Sequence, residues 1–148
     1  MKKMFAAFFT TIATLLLATQ MSFAAGKTHH VAFHVDENDP AVMNLTLNNA
    51  ANVTQYYESQ GDKVVVEIVA YGPGLNMYLP GKSPVEKRIS AMSLEMPNIT
   101  YSACGNTLRK MSEKAGKQLS VISEAHVVPA GVVRLTELQE QGYAYIRP

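Results

Sequence analysis

Two spacings of apolar residues organise this chain. Residues 31–36, VAFHVD, and 63–70, KVVVEIVA, are short runs rich in β-branched side chains and predict strands. The second is apolar almost throughout, which suits a strand covered on both faces. Between them Leu45, Leu47, Ala50, Val53 and Tyr57 recur at helical spacing. Asp39 then Pro40 supply a capping side chain and a proline at the first helical position, and Gly61 supplies the stop. Gly72-Pro73-Gly74 breaks the second strand, and residues 75–82 show no regular pattern. Ser83 and Pro84 repeat the start signal, with Glu86 placed for a capping box, ahead of Val85, Ile89, Met92 and Met96. Residues 99–104, ITYSAC, predict a third strand ended by Gly105, and a helix follows from about Thr107 to Ala115. Residues 124–128 predict a fourth strand. Ala130–Gln141 predicts a helix with Val132, Val133, Leu135 and Leu138 as its apolar positions, and Tyr143–Ile146 a last short strand.

Strand and helix thus alternate four times before a final strand. That order implies right-handed crossovers and a mostly parallel sheet with helices on both faces. In such a sheet, ligands bind outside the carboxyl ends of the strands. Those ends carry Asp36, Gly72, Cys104 and Pro129.

The first 24 residues change the picture. Lys2 and Lys3 precede an apolar run from Met4 to Ala18, and Ser22-Phe23-Ala24 is a small-x-small cleavage site. An export signal over residues 1–24 is expected, with one domain over 25–148 and a periplasmic or secreted location. The apolar run is short for a membrane span, and no other long run follows, so no membrane association is expected after cleavage. Without Lys2 and Lys3 the 13 basic residues become 11, against 12 acidic ones, with no block of like charge. That balance argues against a nucleic-acid partner.

The chain has one cysteine, Cys104. Exported proteins usually pair their cysteines, so an unpaired one is a reactive thiol, a partner in a bond to another chain, or a small buried hydrophobe. Its place at a strand end, ahead of Gly105-Asn106-Thr107 and a helix start, favours the thiolate through the helix dipole and free backbone N–H groups. Arg109 and Lys110, one turn on, add positive charge. His34 and Asp36, with His126, are the metal-ligand candidates; a strand histidine near a helix cap and a sheet-face histidine explain them without a metal. His29 and His30 fall in an expected frayed terminus. His126 is also a candidate base for Cys104. Asn44 and Asn48 share a helix face, as do Asn49 and Asn52, which suits a polar interface, a pocket wall or a solvated surface. Asn44, Asn52 and Asn98 begin N-x-Thr sequons. GxGxxG, Walker-type, GxSxG and CxxC motifs are all absent, so no cofactor is expected.

Four segments together carry a resemblance: FHVDENDPAVMNLTLNNAANV at 33–53, VEIVAYGPGL at 66–75, SACGNTL at 102–108 and VVPAGVVRLTELQEQGYAYI at 127–146. On these the chain resembles the DsrE/DsrF-like family, in particular its small exported members. The resemblance implies a three-layer α/β/α sandwich with a mainly parallel five-stranded sheet, assembled as a homotrimer or homohexamer. It implies that Cys104 corresponds to the cysteine that accepts persulfide sulfur from a donor protein and passes it to an acceptor, as a sulfurtransferase-like carrier. The helix-end groups of Gly105, Asn106 and Thr107, with Arg109, Asp36 and Gly74, are the binding residues expected around it. The alternative is a non-catalytic oligomeric module that holds a small ligand near Asp36, Gly74 and Cys104.

Overall fold

The β-branched runs form strands that pair side by side. The computed structural model describes residues 26–148; the expected export signal and its cleavage site lie outside the described residues. Strand β1 is Thr28–Val35, helix α1 Pro40–Ser59, and β2 Lys63–Ala70. A 3-10 helix, Gly72–Tyr78, leads toward α2, Glu86–Glu95. Then come β3 Ile99–Cys104, α3 Gly105–Ala115, β4 Ala125–Val128, α4 Gly131–Glu140 and β5 Ala144–Ile146. The strands form one five-stranded sheet in the order β4-β3-β2-β1-β5, and every pairing is parallel.

The fold is therefore the three-layer α/β sandwich that the strand–helix alternation requires. One face of the sheet is covered by α1, the 3-10 helix, α2 and α3. Phe33, Val66, Ile68 and Tyr101 meet Met43, Leu47, Leu75, Tyr78, Ile89 and Leu108 there. The other face is covered by α4, whose Leu135 and Leu138 pack on Ala32 and Val69.

Several local expectations change. Strand β1 starts at Thr28, because its pairing with β2 runs unbroken from Thr28–Lys63 to Val35–Ala70. His29 and His30 are thus in the sheet and not in a frayed end. His29 Nε2 bonds Asp62 at 2.9 Å and its ring stacks on Tyr57. In α1 the buried stripe is Met43, Leu47, Ala50 and Thr54, while Leu45 is 45% exposed. Two residues turn a helix by about 200°, so Leu45 and Met43 cannot share a face. In α4 Val132 and Val133 are exposed, and the packing stripe is Gly131, Leu135 and Leu138.

Helix α2 begins later than its start signal predicts, because Ser83 and Glu86 bond elsewhere. The Ser83 hydroxyl accepts from Val85 N–H, and the Glu86 carboxylate accepts from Gly81 N–H. By contrast Asp39 caps α1 as expected, accepting from Ala41 N–H at 2.7 Å. Residues 72–78, expected as a break and an irregular stretch, form the 3-10 helix. Gly74 lies within it against the end of β1, where a Cβ would stand 2.3 Å from the Val35 carbonyl oxygen. Only glycine fits that approach.

Candidate functional site at the carboxyl end of the sheet

Cys104 is the last residue of β3 and itself caps α3. The helix begins at Gly105, so Gly105, Asn106 and Thr107 are its first turn and not a loop before it. The Cys104 sulfur accepts from Thr107 N–H at 3.5 Å. Gly105 packs against the end of β4, where a Cβ would meet Val128 O at 3.0 Å.

A second helix also starts at this cysteine. Gly131, the first residue of α4, sits between Tyr71 and Cys104. A Cβ there would meet the Tyr71 side chain at 2.9 Å and Cys104 Cβ at 3.3 Å. Its backbone thus stands beside Cys104, so the N-termini of α3 and α4 meet at one thiol. Burial pushes the Cys104 thiol up. The Thr107 hydroxyl and the N–H groups of Gly131 and Thr107 outweigh it and hold the thiol below its ordinary value; Asn106 N–H, which donates to Pro129 O at 3.3 Å, adds least. The Thr107 hydroxyl accepts from Gly72 N–H at 3.0 Å, which leaves its own proton for the sulfur. Cys104 is free and 5% exposed.

The other expected site residues divide. Gly105, Asn106 and Thr107 lie at the thiol. Arg109 does not act there: it points outward and pairs with Glu113 one turn along α3 at 2.8 Å. Gly74 serves packing against β1 and presents no open cradle. Asp36 directly follows β1, and its carboxylate pairs with Arg147 at 2.9 Å. Burial works against that carboxylate's charge, but the Arg147 hydrogen bond and nearby His34 hold it below the usual range. Tyr71 lies within electrostatic reach of both Asp36 and Cys104, and its ring stacks on His34 at 4.5 Å.

The metal reading fails on geometry. His34 is on β1 and His126 on β4, three inter-strand steps apart, or about 14 Å. His34 Nδ1 bonds the Tyr145 hydroxyl at 2.7 Å. Its Nε2 is buried without a hydrogen-bond partner, 3.9 Å from the Asp36 carboxylate, and burial lowers its pKa more than Asp36 raises it. Among the described residues no group of three or more His, Cys, Asp or Glu side chains can hold a metal ion. His126 is not the base for Cys104 either; its Nε2 meets Ser102 at 2.9 Å.

That contact opens a network beneath the site which the sequence analysis missed. On the α4 face, Glu67 of β2 takes two 2.7 Å bonds from Arg134 of α4 and one from the Ser102 hydroxyl. Glu67 is 4% exposed. Burial raises its pKa, but Arg134 and then Ser102 reverse the shift and keep it ionised. The pair fixes α4 on the sheet three residues after Gly131. A signal for it was present: Glu67 is the one charge in KVVVEIVA beyond its exposed first residue, Lys63, and a charge in a strand buried on both faces needs a partner.

Comparison with known proteins adds one relation. No family model and no curated protein matches the chain. A solved structure, that of the protein of unknown function MTH1491 from Methanobacterium thermoautotrophicum, is 30% identical in sequence, with a TM-score of 0.66. The match covers 81% of this chain and 99% of that one. This chain belongs to the same family as MTH1491.

Proposed function

We propose that this protein is an exported DsrE-like thiol protein in which Cys104 accepts and hands on sulfane sulfur. The observation that carries the reading is the convergence of the α3 and α4 N-termini on one free sulfur. Those N–H groups stabilise the thiolate, the nucleophilic form. In the proposed step the Cys104 thiolate attacks the outer sulfur of a donor persulfide, R–S–SH. The new S–S bond forms as the donor's S–S bond breaks, and the donor leaves as its thiolate, R–S⁻. Cys104 is left as a persulfide, with no net oxidation. Because Cys104 is 5% exposed, donor access requires the α4 start or the Tyr71 ring to yield.

The partners in this reading are a sulfur donor and an acceptor protein, in the periplasm or outside the cell, and the assembly is a homotrimer or homohexamer. Exposed Val127, Val132 and Val133 suit a subunit contact. Mass spectrometry after polysulfide treatment tests the function: wild type gains the mass of one sulfur atom and Cys104→Ser gains none. Equal labelling of both, or of neither, overturns it. A second reading, a non-catalytic binding module, draws on the near-complete burial of the thiol. It predicts no sulfur uptake at all.

A further inference from the structure

A cleft of about 850 Å³ lies on the α1–α2 face of the sandwich, between the 80–85 loop, the start of α2 and residues 121–124. None of its lining residues belongs to the Cys104 site. Its size is within the range of small-ligand pockets. Two features of its wall point to one class of ligand.

The first is Arg88. Its Nη1 donates to the Asn44 backbone and side-chain oxygens, and its Nη2 to Asn48 Oδ1. All three acceptors are neutral. Among the described residues Arg88 has no carboxylate partner, and its Nε–H and one Nη2 hydrogen find no acceptor. The two asparagines on one face of α1 therefore hold a guanidinium in place without neutralising it. Those remaining donors match a carboxylate.

The second is Glu124. The Ser90 and Ser123 hydroxyls hold its pKa below the ordinary value, Ser123 donating to the carboxylate at 2.9 Å, and among the described residues it pairs with no cation. Lys87 and Glu86 also line the cleft, so its charge balances and a simple anion gains little.

We propose that this cleft binds a small zwitterion of the amino-acid or short-peptide class. Arg88 takes the carboxylate, Glu124 takes the ammonium, and Val85, Val121 and Ile122 supply the apolar wall. The inference is independent of the chemistry at Cys104.

The test is an amide-shift titration of the full-length ¹⁵N-labelled protein with L-alanine, L-alanyl-L-alanine and N-acetyl-L-alanine. At least one of the two zwitterions should give saturable shifts at Ser90, Ser123 and Glu124. N-acetyl-L-alanine, which lacks the ammonium, should bind at least tenfold more weakly. Saturation by the dipeptide alone identifies a peptide ligand, and saturation by alanine alone a free amino acid. Arg88→Ala also removes the α1–α2 bridge, so the chosen variant is Glu124→Gln, which keeps the serine contacts and should weaken binding at least tenfold. No saturable shift with either zwitterion, equal binding of the acetylated probe, or unchanged binding by Glu124→Gln overturns the proposal.

Discussion

Replacing Arg134 by alanine leaves the Glu67 carboxylate buried at 4% exposure with only Ser102 to bond it. Breaking a buried pair from one side costs about 3–5 kcal/mol. Arg134 is itself 27% exposed, so some water follows the truncation and the lower end applies, about 3 kcal/mol. That is a large share of the roughly 5–15 kcal/mol available to a domain of this size. The pH dependence reveals the cause. In the wild type, Glu67 has a folded pKa below its ordinary 4.5, so its contribution is present above that value and is lost as pH falls through the folded pKa. Without Arg134, burial dominates and the folded pKa rises above 4.5. The folded state then binds more protons than the unfolded chain, and the variant becomes more stable as pH falls from 7 toward 4.5. Urea unfolding followed by circular dichroism at pH 7 and pH 4.5 reads both effects. The gap between wild type and Arg134→Ala should be about 3 kcal/mol at pH 7 and clearly smaller at pH 4.5. A gap under about 1 kcal/mol at pH 7, the size of a surface pair, or one that does not narrow on acidification, refutes the reasoning.

Three further outcomes follow from the same geometry. Gly131→Ala puts a methyl group 2.9 Å from Tyr71, so it should destabilise by about 1–3 kcal/mol and raise the Cys104 pKa, read by urea unfolding and the pH profile of alkylation. Thr107→Val removes the hydroxyl that serves both the sulfur and Gly72 N–H; the thiol pKa should rise, and stability should fall by about 1–3 kcal/mol in the same assays. Asp39→Ala removes the α1 cap far from the thiol and should cost about 1 kcal/mol of stability while leaving alkylation unchanged.

Much of this architecture was legible because β-branched runs and Gly/Pro stops are local signals. KVVVEIVA and ITYSAC became β2 and β3 at their expected bounds, and the strand–helix alternation forced the parallel sheet. The phase of α1 was less legible: Leu45 is as apolar as Leu47, and only packing on the sheet decides which of them is buried. Cys104 was placed correctly at a strand end. Its capping of α3 was hidden, since cysteine is not among the usual capping residues and Gly105 suggested a turn. The contribution of Gly131 was not legible at all. It depends on α4 crossing to the other face of the sheet and returning its first residue to β3, a contact between positions 27 residues apart. Arg109 is the opposite case: near Cys104 in sequence, it brings no charge to the thiol. The side chain points outward to Glu113.

The central claim is that two helix N-termini hold Cys104 as a nucleophilic thiolate, and the pH dependence of its alkylation in the native protein tests this most directly. A midpoint below the free-cysteine value of ~8.5, shifted upward in Gly131→Ala and Thr107→Val, is the predicted result. A midpoint at or above ~8.5, or a thiol that reacts only on unfolding, contradicts the account.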